Sequence, residues 1–231
     1  IINLTLQSSL ASDYDYNKII LEVKNDNIFK KFKVKTRTFF QLGSGSNWAI
    51  ESKLNLSGAN PEELMRSKFT RSDGIISTTH MQYDYTTNNF HSSGGLNLRG
   101  YSGYLAPEFN EDGIILSYNY DGISGAALNT EIDFTSYLPY PLAYNNINSY
   151  IFADAGIITN QNITKENYTN IFTDIRADAG IGLTYTIDKF GPLEKVEPLI
   201  IRFDMPIFLN RPPADQEFIQ MRWLIGINKL F

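Results

Sequence analysis

The stretch I-F-T-D-I-R-A-D-A-G-I-G-L-T-Y-T-I, Ile171 to Ile187, alternates apolar with polar or small side chains. Ile175, Ala177, Ala179, Ile181, Leu183 and Tyr185 share one face, and Asp174, Arg176, Asp178, Gly180, Gly182 and Thr184 share the other. A period of two over this length defines a β-strand, because successive strand side chains point to opposite sides. Asp174, Arg176 and Asp178 alternate in sign along the polar face, which reads as the lining of a wet interior rather than a paired-carboxylate site.

The same alternation extends outward in both directions. Upstream, Ile2, Leu4 and Leu6 alternate with Asn3, Thr5 and Gln7, and Ile19, Leu21 and Val23 with Lys18 and Glu22. Asn25-Asp26-Asn27 reads as a tight turn by composition. A long strand is expected from about Ile28 to Leu42, with Phe32, Val34, Thr36, Thr38 and Phe40 opposite Lys33, Lys35 and Arg37. Gly43 to Ser46 then reads as a turn into a strand carrying Trp48, Ile50, Leu54 and Leu56. Asn60-Pro61-Glu62-Glu63 has an N-cap, a proline at the first helical position and early acids, so it predicts a short helix. Ile75 to Tyr85 alternates again. Further strands are expected around Leu128–Phe134, Tyr150–Ala155 and Ile201–Ile207, and from Ile219 to Phe231. The count is about ten.

Composition narrows the class. The chain has 231 residues, no cysteine and a formal charge of −5. A disulfide framework and a cysteine-ligated metal site are excluded, and the acidic balance argues against a general nucleic-acid binder. The chain starts on Ile1 without a signal peptide and reads as a mature chain or an internal fragment. It has no apolar run long enough for a transmembrane helix, but a membrane β-barrel hides its apolar face in alternate residues.

Two all-β architectures fit: a soluble sandwich or lipocalin-like barrel, apolar face inward, and a transmembrane antiparallel barrel, apolar face outward. Three features favour the second. Several strands are far longer than the usual five or six residues of soluble sheets. Their polar faces carry glycine and charges of both signs. The last strand runs from Trp223 to an aromatic end at Phe231, with Tyr137, Tyr140, Tyr144, Tyr168 and Phe190 near strand ends as an interfacial girdle would place them.

One loop stands apart. G-G-L-N-L-R-G-Y-S-G-Y, Gly94 to Tyr104, interleaves four glycines with a single cation, Arg99. Glycine at this density weakens a strand and allows close backbone approach, so the stretch is a constrained loop. A cation buried there needs a carboxylate partner.

L-R-G-Y at Leu98, Arg99, Gly100 and Tyr101, preceded by Gly94-Gly95, resembles the lumen-loop motif of the BamA/TamA-type outer-membrane protein assembly superfamily. Three more stretches fall in that family's order: F-A-D-A-G at Phe152–Gly156, A-G-I-G-L-T-Y at Ala179–Tyr185 and G-P-L at Gly191–Leu193. The strand from Trp223 to Phe231 resembles the C-terminal signal of outer-membrane barrels. The match covers about Gly94 to Phe231, and the first 90 residues only by strand pattern. The resemblance implies the C-terminal ten or so strands of a sixteen-stranded barrel, with the loop at 94–125 folded into the lumen. It implies that residues 1–231 are one barrel portion, that earlier strands and a periplasmic domain lie outside this chain, and that Arg99 meets Asp154 and Glu131. It also implies an integral outer-membrane protein with a periplasmic C-terminus, in contact with lipid and lipopolysaccharide, whose partners are nascent outer-membrane proteins and assembly-complex subunits.

The residues carry no catalytic constellation and imply no cofactor. His80 and His91 lack a metal-binding pattern, and Gly43-Ser44-Gly45 and Gly94-Gly95 lack the lysine context of a phosphate loop. Three functions follow from the resemblance: insertion of barrel proteins through a lateral seam, where Gly226 weakens closure; a passive anchor for a fused zinc aminopeptidase or patatin-like enzyme; and a two-partner-secretion transporter with an open pore.

Overall fold

The structure, a computed structural model, describes residues 1–9, 13–66, 89–102, 108–109, 115–117, 121–138, 146–164, 167–187, 198–212 and 217–227. The strands, in chain order, are β1 (Ile2–Ser8), β2 (Asp15–Phe29), β3 (Phe32–Asn47), β4 (Leu54–Asn55), β5 (Phe90–Ser92), β6 (Glu108–Phe109) and β7 (Ile115–Ser117). They continue with β8 (Asp121–Gly122), β9 (Gly125–Asp133), β10 (Ile147–Thr164), β11 (Asn167–Phe172), β12 (Arg176–Ile187), β13 (Leu199–Leu209) and β14 (Leu224–Ile227). Among the described residues the one α-helix is α1 (Pro61–Arg66), and no helix there is long and apolar enough to cross a membrane.

Eight strands lie side by side in the order β1-β2-β3-β9-β10-β12-β13-β14, every neighbour antiparallel. β11 folds back on the far end of β10, and β5 adds in parallel to the outer edge of β14. The protein is therefore all-β, built on one large sheet that stays open: β1 pairs only with β2 among the described residues.

The two faces of the sheet are opposite in character. Leu4, Leu6, Ile19, Leu21, Phe40, Leu42, Leu128, Ile151, Ile181, Leu183, Ile201 and Ile225 are exposed on one. The other buries Lys18, Arg37, Asn129, Glu131, Asp154, Arg176, Asp178, Arg202 and Asp204. A soluble sheet has the reverse arrangement, because apolar side chains gain by leaving water and charges lose.

The polar face is covered by the connection between β3 and β9. Leu54, Leu56, Leu96, Leu98 and Tyr101 from this connection pack on Phe39, Ala127, Ile158 and Leu209 of the sheet. Its two legs are tied by backbone bonds, Leu96 N to Asn55 O at 3.1 Å and Leu98 N to Leu56 O at 3.0 Å. A second cluster joins Trp48, Ala49 and Ile123 to Tyr16, whose ring stacks on Trp48 at 4.7 Å. Each buried leucine contributes roughly 1.5–3 kcal/mol relative to exposure, so the connection is held as a packed body. Helix α1 begins as its sequence predicts. Asn60 Oδ1 accepts from Glu63 N at 2.8 Å, and Glu63 Oε2 accepts from Asn60 N at 2.9 Å, a reciprocal cap.

Several expectations are corrected. Asn25-Asp26-Asn27 is not a turn: β2 runs through it to Phe29, steadied by the Asp26–Lys33 pair at 2.8 Å. The reversal comes at Lys30, which takes a left-handed φ of 58° without being Gly or Asn. Gly43 to Ser46 stay in β3; Gly45, at φ +124°, accommodates the irregular pairing opposite Asp15. Trp48 to Leu56 is no strand of the sheet, because burying Trp48, Leu54 and Leu56 under the connection outweighs ladder formation. The long alternating run is split between β11 and β12, with Asp174 outside both and paired to Arg211 at 2.6 Å. Of the expected final strand, Leu224–Ile227 pairs in the sheet and Ile219 makes a single bridge to Phe208, while residues 228–231 lie outside the described residues. The expected strand Ile75–Tyr85, His80, Gly191–Leu193 and Phe231 lie outside the described residues.

Candidate functional site

The site centres on Arg99, which is fully buried in a single 3₁₀ turn, Arg99–Tyr101. Gly95 and Asn97 adopt left-handed φ angles of 52° and 57° just before it, which turns the chain down onto the polar face. Arg99 Nε donates to Asp154 Oδ2 at 2.7 Å and Nη2 donates to Asp154 Oδ1 at 3.0 Å, a bidentate pair. Nη1 donates to Glu131 Oε1 at 2.8 Å and lies 3.7 Å from Asp204 Oδ1. The guanidinium plane sits 3.9 Å from the centre of the Phe152 ring. Burial alone would drive the charge off Arg99, but the carboxylates of Asp154, Asp204 and Glu131 more than offset it and hold its pKa well above the usual arginine value.

The neighbouring strands each supply one acid because their inward parity is in phase. Asp154 stands opposite Asn129 on β9 and Asp178 on β12, and Asp204 stands opposite Gly182. Asn129 Nδ2 closes the site by donating to Asp154 Oδ1 at 3.1 Å and to the loop carbonyls of Leu96 and Asn97. Tyr150 donates to Asp204, and Arg202 Nε lies 2.6 Å from Asp204 Oδ2.

Glycines make the space. A Cβ at Gly156 would come within 2.8 Å of Leu98 Cδ1, so the wall is notched where the residue before Arg99 packs. At Gly180 it would meet Phe152 Cζ at 2.8 Å, and at Gly182 the Tyr150 ring at 2.4 Å. The A-G-I-G run thus seats the two rings that line the Arg99 chamber. Gly100 passes Asp178 closely, where a Cβ would lie 2.6 Å from Asp178 Cβ. Tyr101 reaches β13's far end, its hydroxyl donating to Asn210 Oδ1 at 2.8 Å.

The structure brings together Leu98, Arg99, Gly100, Tyr101, Glu131, Phe152, Asp154 and Gly156. Gly95 lies at the rim, its N–H donating to Glu63 Oε2 at 3.1 Å, and Gly94 packs on Ala59. Trp223 is distant from this chamber in role: it is part-exposed and stacks near Phe203 on the apolar face. Sequence reading missed Asn129, Tyr150, Arg202 and Asp204, although strand parity already put Arg202 and Asp204 on one polar face. The body covering that face is also larger than the expected 94–125 loop, since residues 48–60 share in it.

No family model matches the chain, and no curated protein matches it significantly. Fold and site together define a class: an all-β protein whose charged sheet face is sealed by a long connection pinned by buried arginines, with Arg99 at the centre and Arg37 and Arg202 bonded to the same connection.

Proposed function

We propose that this chain is the C-terminal portion of an outer-membrane β-barrel of the BamA/TamA type, which assembles outer-membrane proteins at a lateral seam. The observation that carries the membrane reading is the inverted sheet. A contiguous band of Leu, Ile and Phe faces outward on successive strands while ten charged and four amide side chains are buried among the described residues. Soluble monomers rarely display apolar patches of that extent, whereas lipid-facing strands alternate apolar outside and polar inside.

The assembly reading rests on the L-R-G-Y turn meeting the F-A-D-A-G strand, the pairing that the resemblance implies. The packed leucine cluster under the polar face weighs against the open pore of a secretion transporter. Against the passive anchor, the experiment is depletion of the full-length protein in its host, followed by gel analysis of heat-modifiable outer-membrane barrels. Loss of folded barrels of other proteins is expected. Unchanged folded barrels, with this protein depleted, would overturn the assembly role and leave the anchor.

A further inference from the structure

The hairpin joining β2 to β3 closes on Lys30 and Lys31, with Phe29 opposite Phe32 in the last pair of its ladder. Phe32 also meets Tyr137, in the turn between β9 and β10, with ring centres 4.5 Å apart. Lys31 Nζ stands 5.6 Å from the centre of the same Tyr137 ring. All three rings and both lysines are exposed. Neither strand of the hairpin is an edge of the sheet: β2 lies between β1 and β3, and β3 between β2 and β9.

The nearby acids are already engaged, and they sit on inward-facing positions. Asp26 pairs with Lys33 at 2.8 Å, Glu131 with Lys35 at 3.6 Å and Glu22 with Lys24 at 3.6 Å. Asp133 Oδ1 accepts from Thr135 N at 2.9 Å and from the Thr135 hydroxyl at 2.6 Å. Among the described residues neither Lys30 nor Lys31 is paired with a carboxylate. The contact with Tyr137 steadies the Lys31 ammonium without neutralising it.

The outward row of β2 shows how deep this end lies. It runs through Ile19, Leu21 and Val23, then turns polar at Asn25 and Asn27 before Phe29. On the membrane reading, the hydrocarbon ends near Asn25. A strand rises about 3.4 Å per residue and a barrel strand tilts by roughly 40°, so the hairpin end lies about 10 Å further along the membrane normal. That is the outer limit of a headgroup layer of roughly 5–8 Å. A lysine ammonium on its four-carbon stem reaches back from there to the phosphates.

We propose that the end of this hairpin is a headgroup site for an anionic glycerophospholipid, with the phosphodiester held by Lys30 and Lys31 and the glycerol lying against Phe29, Phe32 and Tyr137. This rests on the membrane reading above and deepens it by naming the lipid class. Two ammonium groups attract the phosphodiester of any phospholipid but repel the choline or ethanolamine cation of a zwitterionic one. They therefore select a headgroup without a cation, such as phosphatidylglycerol.

The chain contains no cysteine, so a bimane fluorophore on Asn27→Cys is unique within it. The full-length protein is reconstituted in phosphatidylcholine vesicles holding a small share of lipid that carries a doxyl quencher near the top of its acyl chain. Doxyl-phosphatidylglycerol should be enriched at Asn27→Cys over doxyl-phosphatidylcholine by roughly fivefold per lysine at low salt. A label on Ile181→Cys, mid-strand on β12, should be quenched equally by both. Lys30→Asn with Lys31→Gln should bring the ratio at the hairpin to one, while Lys33→Gln should leave it unchanged. Asn tolerates the left-handed φ of 58° at position 30, and a retained heat-modifiable band shows that the double variant folds. Equal quenching by the two lipids at Asn27→Cys, or none, with Ile181→Cys quenched, overturns the lipid site and leaves the membrane reading intact. A preference that survives the double variant overturns it too. Loss of the preference on adding inorganic phosphate at constant ionic strength would mean a site for free phosphate, and overturns the lipid assignment. If neither label is quenched by either lipid, the membrane reading falls and the site with it.

Discussion

Arg99 and Asp154, 55 residues apart in the chain, form a two-pronged ion pair in which both side chains are fully buried. Breaking such a pair by removing one partner leaves an uncompensated charge in a dry place. Arg99→Ala should therefore cost about 3–5 kcal/mol of fold stability, read as a lower temperature for loss of the compact band on gels. Arg99→Lys keeps the charge but not the fork and should recover only part of it. In a double-mutant cycle, Asp154→Arg should partly rescue Arg99→Glu; strict additivity would mean that the two do not interact in the folded protein.

Gly182 gives the second prediction. The Tyr150 ring and the Asp204 carboxylate occupy the space a side chain would need there. Gly182→Val should push Tyr150 out of its bond to Asp204 and destabilise by roughly 1–3 kcal/mol. Gly182→Val combined with Tyr150→Ala should be less destabilised than the sum of the single variants, since the smaller residue removes the clash. Equal, independent effects would contradict this seating of the ring.

A pH effect follows from Glu62 on α1. Burial pushes its pKa up, but hydrogen bonds from Lys18 and Gln7 and the charges of Lys18 and Arg66 outweigh burial and leave it below 4.5. A depressed carboxylate stabilises above its unfolded pKa, and the contribution is lost as pH falls through the folded value. The anchorage of α1 on β2, made by the Lys18–Glu62 pair at 2.8 Å, should hold at pH 5 to 7 and weaken below about 4.5. Limited proteolysis between residues 48 and 66 with an acid-active protease should show the transition, and Glu62→Gln should flatten it.

Much of this was legible in the sequence because strand parity is a local property. The outward rows of β1, β2, β9, β12 and β13 follow directly from alternation, and Arg99 stood out as a lone cation among glycines. The missed parts depend on contacts distant in sequence. Trp48, Leu54 and Leu56 alternate as a strand would, yet their burial partners lie 40 or more residues onward, at Leu96, Leu98 and Ile123. Lys30 turns the chain with no turn-forming residue, because the β2–β3 pairing on either side fixes the reversal. Asp204 joins Arg99 only through the register of β12 on β13, which composition does not reveal.

Charge on the outward face is the fourth test. Ile181 lies mid-strand on β12 and is exposed. Ile181→Arg should cost about 2–4 kcal/mol in a bilayer if that position sits near the midplane, and far less in detergent. A substitution equally tolerated in both would place Ile181 away from lipid.

The most direct measurement is paramagnetic accessibility of nitroxide labels along β10, β12, β13 and β14 in the full-length protein in vesicles. Labels at Ile151, Ile181, Leu183 and Ile225 should collide with oxygen and be shielded from a water-soluble nickel chelate. Labels at Phe152, Asp178 and Arg202 should be shielded from both. Chelate access at the first set would show that the apolar face meets water, and would contradict the membrane-barrel account.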